Sequence, residues 1–293
     1  MEELKKISRD IGVNYRYLVN LILFSDKYYF THTIKKRSGE SRIINSPNYE
    51  IKALQTWILR NILEKIEISK KAQGFTKGRS IKSNAKPHLN SYSIICLDIK
   101  DFFNTIKQSQ IIEIFKKSLN GEYKEIADLL AKVCTYRGYL PQGAVTSPYL
   151  SNIVLKDADD EIDEFCIKND ICYTRYADDL SLSTKRYIEI KEIEVPITKI
   201  IEKYGFKINN KKTRLYFIGN RMIVTGIILN SKKLTVGRNL KREIRAMIHN
   251  YLKKDEDKVN VDEMLGKIAF LRDIEPDYYK NNLKKYIRKL NNN

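Results

Sequence analysis

Two aspartates stand side by side at the tip of what the flanking pattern reads as a β-hairpin. Tyr176-Ala177-Asp178-Asp179 joins the alternating runs Ile171 to Arg175 and Leu180 to Thr184. Adjacent carboxylates repel each other, so a tight turn gains nothing from both unless a positive charge is held there. A third carboxylate, Asp98, sits in the apolar run Ile94-Ile95-Cys96-Leu97-Asp98-Ile99, which otherwise reads as a buried strand hostile to an unpaired charge. Three aspartates on two neighbouring strands form a cage suited to Mg²⁺, a hard cation that prefers carboxylate and phosphate oxygens. The chain must therefore fold so that two distant segments lie side by side.

A second acidic pair, Asp159-Asp160, reads differently. It falls within Ser151 to Cys166, where Ile153, Val154, Ala158, Ile162 and Phe165 recur at helical spacing. That spacing predicts a helix with its acids on a solvated face.

Charge defines the class of partner. With 54 Lys and Arg against 36 Asp and Glu, the formal net charge is +18, and such a surface attracts a polyanion, by default nucleic acid. Basic residues are in excess over 231–293, interleaved with Tyr251, Tyr278, Tyr279 and Tyr286, a mixture suited to phosphate contacts and base stacking. The sequence has no apolar run long enough to span a bilayer and opens Met1-Glu2-Glu3-Leu4-Lys5-Lys6, so the expectation is a soluble, cytoplasmic protein with no membrane partner. Cys96, Cys134, Cys166 and Cys172 lack C-x-x-C spacing, and His32, His88 and His249 are scattered. This argues against structural zinc and for reduced, packed thiols.

Elsewhere the pattern predicts helix over roughly 2–24, then strands from Tyr28 to Lys36 and Ser41 to Asn45 around the turn Arg37-Ser38-Gly39-Glu40. A helix from about Tyr49 to Ile66 carries Trp57 as a core residue. The loop from Lys70 to Ser80 combines Gly74 and Gly78 with several cations and could lay backbone N–H groups and positive charge on a triphosphate. After a helical stretch from Gln110 to Tyr136, Leu140-Pro141-Gln142-Gly143-Ala144-Val145-Thr146-Ser147-Pro148 leads into a helix opened by Ser147 and Pro148. Without repeats or low-complexity tracts, the chain reads as one continuous unit of two or three subdomains.

Together these segments resemble a reverse transcriptase. Leu97-Asp98-Ile99-Lys100-Asp101-Phe102-Phe103 is similar to the family's first catalytic motif, Leu140-Pro141-Gln142-Gly143 with Ser147-Pro148 to its nucleotide-side motif, and Tyr176-Ala177-Asp178-Asp179 to its metal-binding hairpin. Gly205-Phe206-Lys207-Ile208-Asn209-Asn210-Lys211-Lys212-Thr213 matches the segment that usually follows. Asn84-Ala85-Lys86-Pro87-His88 resembles the N-A-x-x-H motif, and Val224-Thr225-Gly226 the V-T-G motif, of the bacterial retron enzymes. The chain is short for a group II intron protein and has no room for an RNase H domain.

The resemblance implies an α+β, right-hand polymerase fold. An N-terminal helix and fingers would occupy 1–94, and a palm, an antiparallel sheet backed by helices, 95–230 with a fingers insertion near 105–139. A helical thumb would occupy 231–293. It also implies an RNA-directed DNA polymerase that takes dNTPs and two Mg²⁺ ions shared by Asp98 and Asp178. Asp179 would help to ligate or orient the metal site, and the backbone C=O of Ile99 would complete one shell. Lys77 and Arg79 would face the triphosphate, Gln142 the deoxyribose and base, and Phe103 the underside of the sugar. Lys211 or Lys212 would sit near the pyrophosphate, and the sequence does not choose between them. Asn84, His88, Val224, Thr225 and Gly226 would bind a cognate RNA.

In this family a structured noncoding RNA serves as template and primer. Synthesis from an internal guanosine 2′-OH gives branched multicopy single-stranded DNA, commonly in antiphage defence with a separate effector protein. Two other readings stay open: another bacterial reverse transcriptase of the abortive-infection or diversity-generating type, or an RNA-binding scaffold with a dead polymerase site.

Overall fold

A computed structural model describes residues 2–35, 39, 41–230, 232–253, 260–284 and 286, residue 119 by its backbone alone. Of the turn expected at Arg37-Ser38-Gly39-Glu40, all but Gly39 lies outside the described residues. The opening helical pattern is two helices, α1 (Glu2–Ile11) and α2 (Tyr15–Leu23). Gly12 breaks it with φ +70, and the Asn14 side chain then caps α2 by accepting from the Arg16 N–H. An antiparallel ribbon follows, β1 (Tyr29–Lys35) and β2 (Ser41–Pro47), then α3 (Tyr49–Asn61), where Trp57 is buried and its indole N–H donates to Asp10 at 3.0 Å.

Further along come α4 (Ile81–Ala85), β3 (Ser93–Asp98), α5 (Phe102–Thr105), α6 (Gln108–Lys117) and α7 (Ala127–Cys134). The single helical stretch expected over 110–136 is broken between α6 and α7 by short 3₁₀ turns around Gly121, which has φ +82. Next are α8 (Ser147–Val154), α9 (Lys156–Lys168), β4 (Cys172–Tyr176), β5 (Asp179–Thr184) and α10 (Ile190–Lys203). The remainder holds β6 (Arg214–Phe217), β7 (Met222–Val224), β8 (Ile227–Asn230), β9 (Lys233–Thr235), α11 (Arg238–Leu252) and α12 (Val261–Ile274).

The sheet that organises the molecule has strand order β4-β5-β3-β6, with every neighbouring pair antiparallel. Side chains alternate across it. Ile95 and Leu97 of β3 and Leu180 and Leu182 of β5 enter the larger core with residues of α9 and α10, among them Ala158, Ile162, Ile197 and Ile201. The opposite face carries Ile94, Cys96 and Asp98 on β3 and, by register, Asp179, Ser181 and Ser183 on β5. Ile94 belongs to a second core with β7, β8, α11 and α12. Alternation thus delivers Asp98 to the face that α4, α11 and α12 cover only at the Ile94 end, so that Asp98 stands at the strand end where this face opens.

The second acidic pair corrects the solvated-face expectation. Asp160 is exposed and pairs with Lys156 at 2.7 Å. Asp159 is 1% exposed and is bound by Arg175, itself 0% exposed, across the sheet from the open face. One residue of rotation on α9 separates a surface acid from a core acid.

Candidate active site

Asp98 pairs directly with Asp179 in the β3–β5 register, and the Ile99 N–H donates to the Asp178 C=O at 2.9 Å. The two segments singled out in the sequence are therefore stitched together at backbone level. The turn itself is tight, since Tyr176 pairs with Asp179 and leaves only Ala177 and Asp178 to reverse the chain. Ala177 has φ +56, a left-handed conformation uncommon outside glycine, so the surroundings must hold the turn in shape.

Around these acids the surface opens into two lobes of about 430 and 410 Å³, within the size range of small-molecule sites. Asp98, Asp178, Arg42 and Lys212 line both lobes. The first adds Asp179, Arg214 and the Thr225-Gly226 turn, and the second adds Ile99, Lys100, Phe103 and Gln142. Phe103 is half-buried, its ring 5.2 Å from Phe102 and 6.3 Å from Phe75. Gln142 is held by its backbone, whose C=O accepts from the Asn45 N–H at 2.8 Å, and Gly143 beside it has φ +124 with no room for a Cβ against Ile44 and Asn45.

Three acids and the cations Arg42, Lys212 and Arg214 share the site, and desolvation decides its electrostatics. Lys212 donates to Asp98 Oδ2 at 2.9 Å, and Asn209 Nδ2 lies 3.2 Å from Oδ1. Partial burial pulls the Lys212 ammonium down, but its hydrogen bond and attraction to Asp98, reinforced by Asp178 and Asp179, outweigh this and hold it above the usual lysine value. Asp178 is raised, first by desolvation and then, against the pull of its backbone hydrogen bond, by Asp98. Asp179 stands open to the cavity; the loss of water around it, then repulsion by Asp178 and Asp98, push it up to about 6. Among the described residues no group of three or more His, Cys, Asp or Glu side chains is gathered closely enough to hold a metal ion. The donor set nevertheless suits a hard divalent cation, which would lower the cost of ionising Asp178 and Asp179 together and compete with Lys212 for Asp98.

Other expected residues lie elsewhere. Arg79 turns inward on its own loop, its Nη1 donating to the carbonyls of Lys70 and Ala72, and Lys77 is exposed; neither lines a lobe beside the acids. The cation that reaches over the acids from the N-terminal ribbon is Arg42, which sequence reasoning missed. Of the two candidate lysines Lys212 lines the site, whereas Lys211 does not. Phe75 was also missed: at φ +60 it places its ring 6.4 Å from Tyr176 as well as near Phe103.

The two short motifs meet each other. The Asn84 Nδ2 is 3.3 Å from Thr225 Oγ1, and Thr225 (φ +45) with Gly226 (φ +82) makes the two-residue β7–β8 turn, a type I′ geometry. Asn84 and His88 are 0% exposed, which corrects the expectation that they touch RNA directly. His88 bonds through its ring to Ser183 Oγ at 2.7 Å and Thr174 Oγ1 at 2.8 Å, clamping the end of α4 onto the sheet. Val224 is buried; Thr225 and Gly226 alone of the five face the cavity.

Comparison with known proteins agrees with this arrangement. Residues 34–260 match the reverse transcriptase (RNA-dependent DNA polymerase) family. The Escherichia coli Retron Ec86 reverse transcriptase is 33% identical over 99% of this chain and 90% of its own, and Retron Ec83 of the same organism 32% over 88% and 87%. Retron Mx65 reverse transcriptase of Myxococcus xanthus is 28% identical over 91% of this chain and 66% of its own. A telomerase from Candida albicans, solved with a fragment of telomeric RNA, superposes with a TM-score of 0.50 at 14% identity, covering 88% of this chain and 54% of that one; the likeness is of fold alone. With its three aspartates at the end of a palm sheet in a right-hand α+β fold, the chain belongs to the reverse transcriptases, RNA-directed DNA polymerases, and among them to the retron enzymes.

Proposed function

We propose that the chain copies a cognate structured noncoding RNA from an internal guanosine 2′-OH into branched multicopy single-stranded DNA. The observation that carries this reading is the convergence of Asp98, Asp178 and Asp179 with Arg42 and Lys212 on one open cavity. Asp98, Asp178 and Asp179, with the Ile99 carbonyl, would hold two Mg²⁺, which when bound supply activation of the primer hydroxyl and charge neutralisation on the triphosphate. Arg42 and Lys212 draw the incoming dNTP by charge, and Lys212 keeps its proton at Nζ to meet the departing pyrophosphate. Phe103 supports the sugar and excludes a 2′-OH; Gln142 lies on the base side. The Thr225-Gly226 turn faces the priming end of the RNA, with Asn84 supporting it from beneath.

In this reading residues 1–94 with 105–139 act as fingers, the rest of 95–230 as palm, and 231–293 as thumb. Similarity to retron enzymes supports a role in cytoplasmic antiphage defence with a separate effector. Among the described residues no helix is long and apolar enough to cross a membrane.

Asp98→Asn and Asp178→Asn should each lower DNA synthesis by roughly a hundredfold or more while RNA binding stays within a few-fold, since each removes transition-state stabilisation only. Synthesis at near wild-type rate in either variant would overturn the site. A product from the cognate RNA lacking a 2′-linked branch would overturn the priming step and leave the polymerase reading intact.

A further inference from the structure

The helix-backed face of the sheet, directly behind the acids, holds a buried polar device that the chemistry above does not use. Arg175 and Asp159 are a fully buried ion pair: Nε donates to Asp159 Oδ1 at 2.8 Å and Nη2 to Oδ2 at 2.6 Å, while Tyr173 Oη donates to Oδ1 at 2.7 Å. This fork leaves Nη1 free to turn the other way. It donates to the Ala177 C=O at 3.0 Å, the carbonyl immediately before Asp178, and to Asn152 Oδ1 at 3.0 Å.

Asn152 closes the circuit, because its Nδ2 donates to the Gly74 C=O at 2.9 Å. Gly74 lies against the turn so closely that a Cβ there would stand 2.7 Å from the Ala177 N. The same loop is tied to the backbone of Arg175, with the Gln73 N–H donating to the Arg175 C=O and the Arg175 N–H to the Lys71 C=O. Arg175, Asn152 and Gly74 thus brace from two sides a turn whose Ala177 sits in a left-handed conformation.

A buried ion pair is by itself weak evidence for stability, since well-packed apolar residues often replace one without loss. What distinguishes this one is where its spare donor goes. Resting on the polymerase reading, we infer that the buried Arg175–Asp159 pair, through Asn152 and Gly74, is a positioning device that fixes the Ala177 carbonyl and so aims the Asp178 carboxylate. Arginine is required because a lysine ammonium cannot hold a carboxylate in a planar fork and direct a further donor at the turn.

The test separates aim from folding. Arg175→Met combined with Asp159→Leu removes both charges without stranding either, and Asn152→Ala cuts the link to Gly74 while keeping the pair. Each is assayed as full-length protein for unfolding midpoint, RNA binding, primer extension on a generic RNA template and Mn²⁺ binding by electron paramagnetic resonance without nucleic acid. For variants whose midpoint and RNA binding stay near wild type, kcat should fall at least tenfold in the double variant and about three- to tenfold in Asn152→Ala. The dNTP KM should change less than threefold, and Mn²⁺ binding should weaken at least fivefold in the double variant. A purely structural pair predicts wild-type kcat and Mn²⁺ affinity in whichever variant folds, and that result overturns the inference. If wild-type synthesis itself proved insensitive to Asp98→Asn, the polymerase reading would have failed instead.

Discussion

Acidification should destabilise this protein through one imidazole. His88 is fully buried between Ser183 and Thr174, and loss of water on burial lowers it from 6.5 to about 4. The unfolded chain therefore takes up a proton below pH 6.5 that the folded chain refuses until near pH 4. Stability from this group is complete above 6.5 and is lost as the pH falls toward 4, reaching about 3 kcal/mol in full and about 2 kcal/mol by pH 5. His88→Gln keeps a polar partner for both hydroxyls and cannot titrate. Urea unfolding of both proteins at pH 8, 6 and 5 should show the wild type's advantage over the variant shrinking by about 2 kcal/mol between the extremes. Carboxylates elsewhere contribute equally to both proteins and cancel in the difference. A gap that stays constant across this range would mean that His88 is charged or hydrated in the folded state, and the clamp between α4 and the sheet would need to be redrawn.

Three further outcomes follow from the same geometry. Asp159→Asn should cost about 3 to 5 kcal/mol in urea unfolding by stranding the Arg175 charge, whereas Asp160→Asn, which breaks only a surface pair, should cost about 1 kcal/mol or less. Phe103→Val should admit ribonucleotides more readily while retaining polymerisation, measured as the ratio of kcat/KM for dNTP and rNTP; an unchanged ratio removes Phe103 from that role. Lys212→Ala should slow primer extension by roughly tenfold or more, while Lys211→Ala, which removes a lysine outside both lobes, should stay within about threefold; equal effects would contradict the placement of Lys212 on Asp98.

What the sequence disclosed was whatever a local pattern could encode. Period-two alternation and a four-residue turn defined the β4–β5 hairpin, and a lone charge in an apolar run marked Asp98. Arg42 was invisible because its approach to the acids depends on how the β1–β2 ribbon folds back over the sheet. Asp159 was misread because helical periodicity places it at the margin of the apolar stripe, where burial is decided by a partner on another element. The overlooked signal was Arg175: in the alternation Tyr173, Arg175 it occupies an inward position, and a charge there demands a counter-charge. Asn84 and His88 failed for the converse reason, since a polar residue in a short motif can face a ligand or lock two elements together and the string of letters is the same.

The double use of β3 also governs how the molecule comes apart. Ile95 and Leu97 bind this strand to one core while Ile94 and Cys96 bind it to the other, and β5 and β6 hydrogen-bond it on both edges. A strand shared in this way ties the C-terminal helices to the catalytic sheet, because their melting uncovers Ile94 and Cys96 on β3. Opening either core uncovers one face of β3 while the other face stays packed, so hydrogen exchange should find the amides of β3 among the last to open.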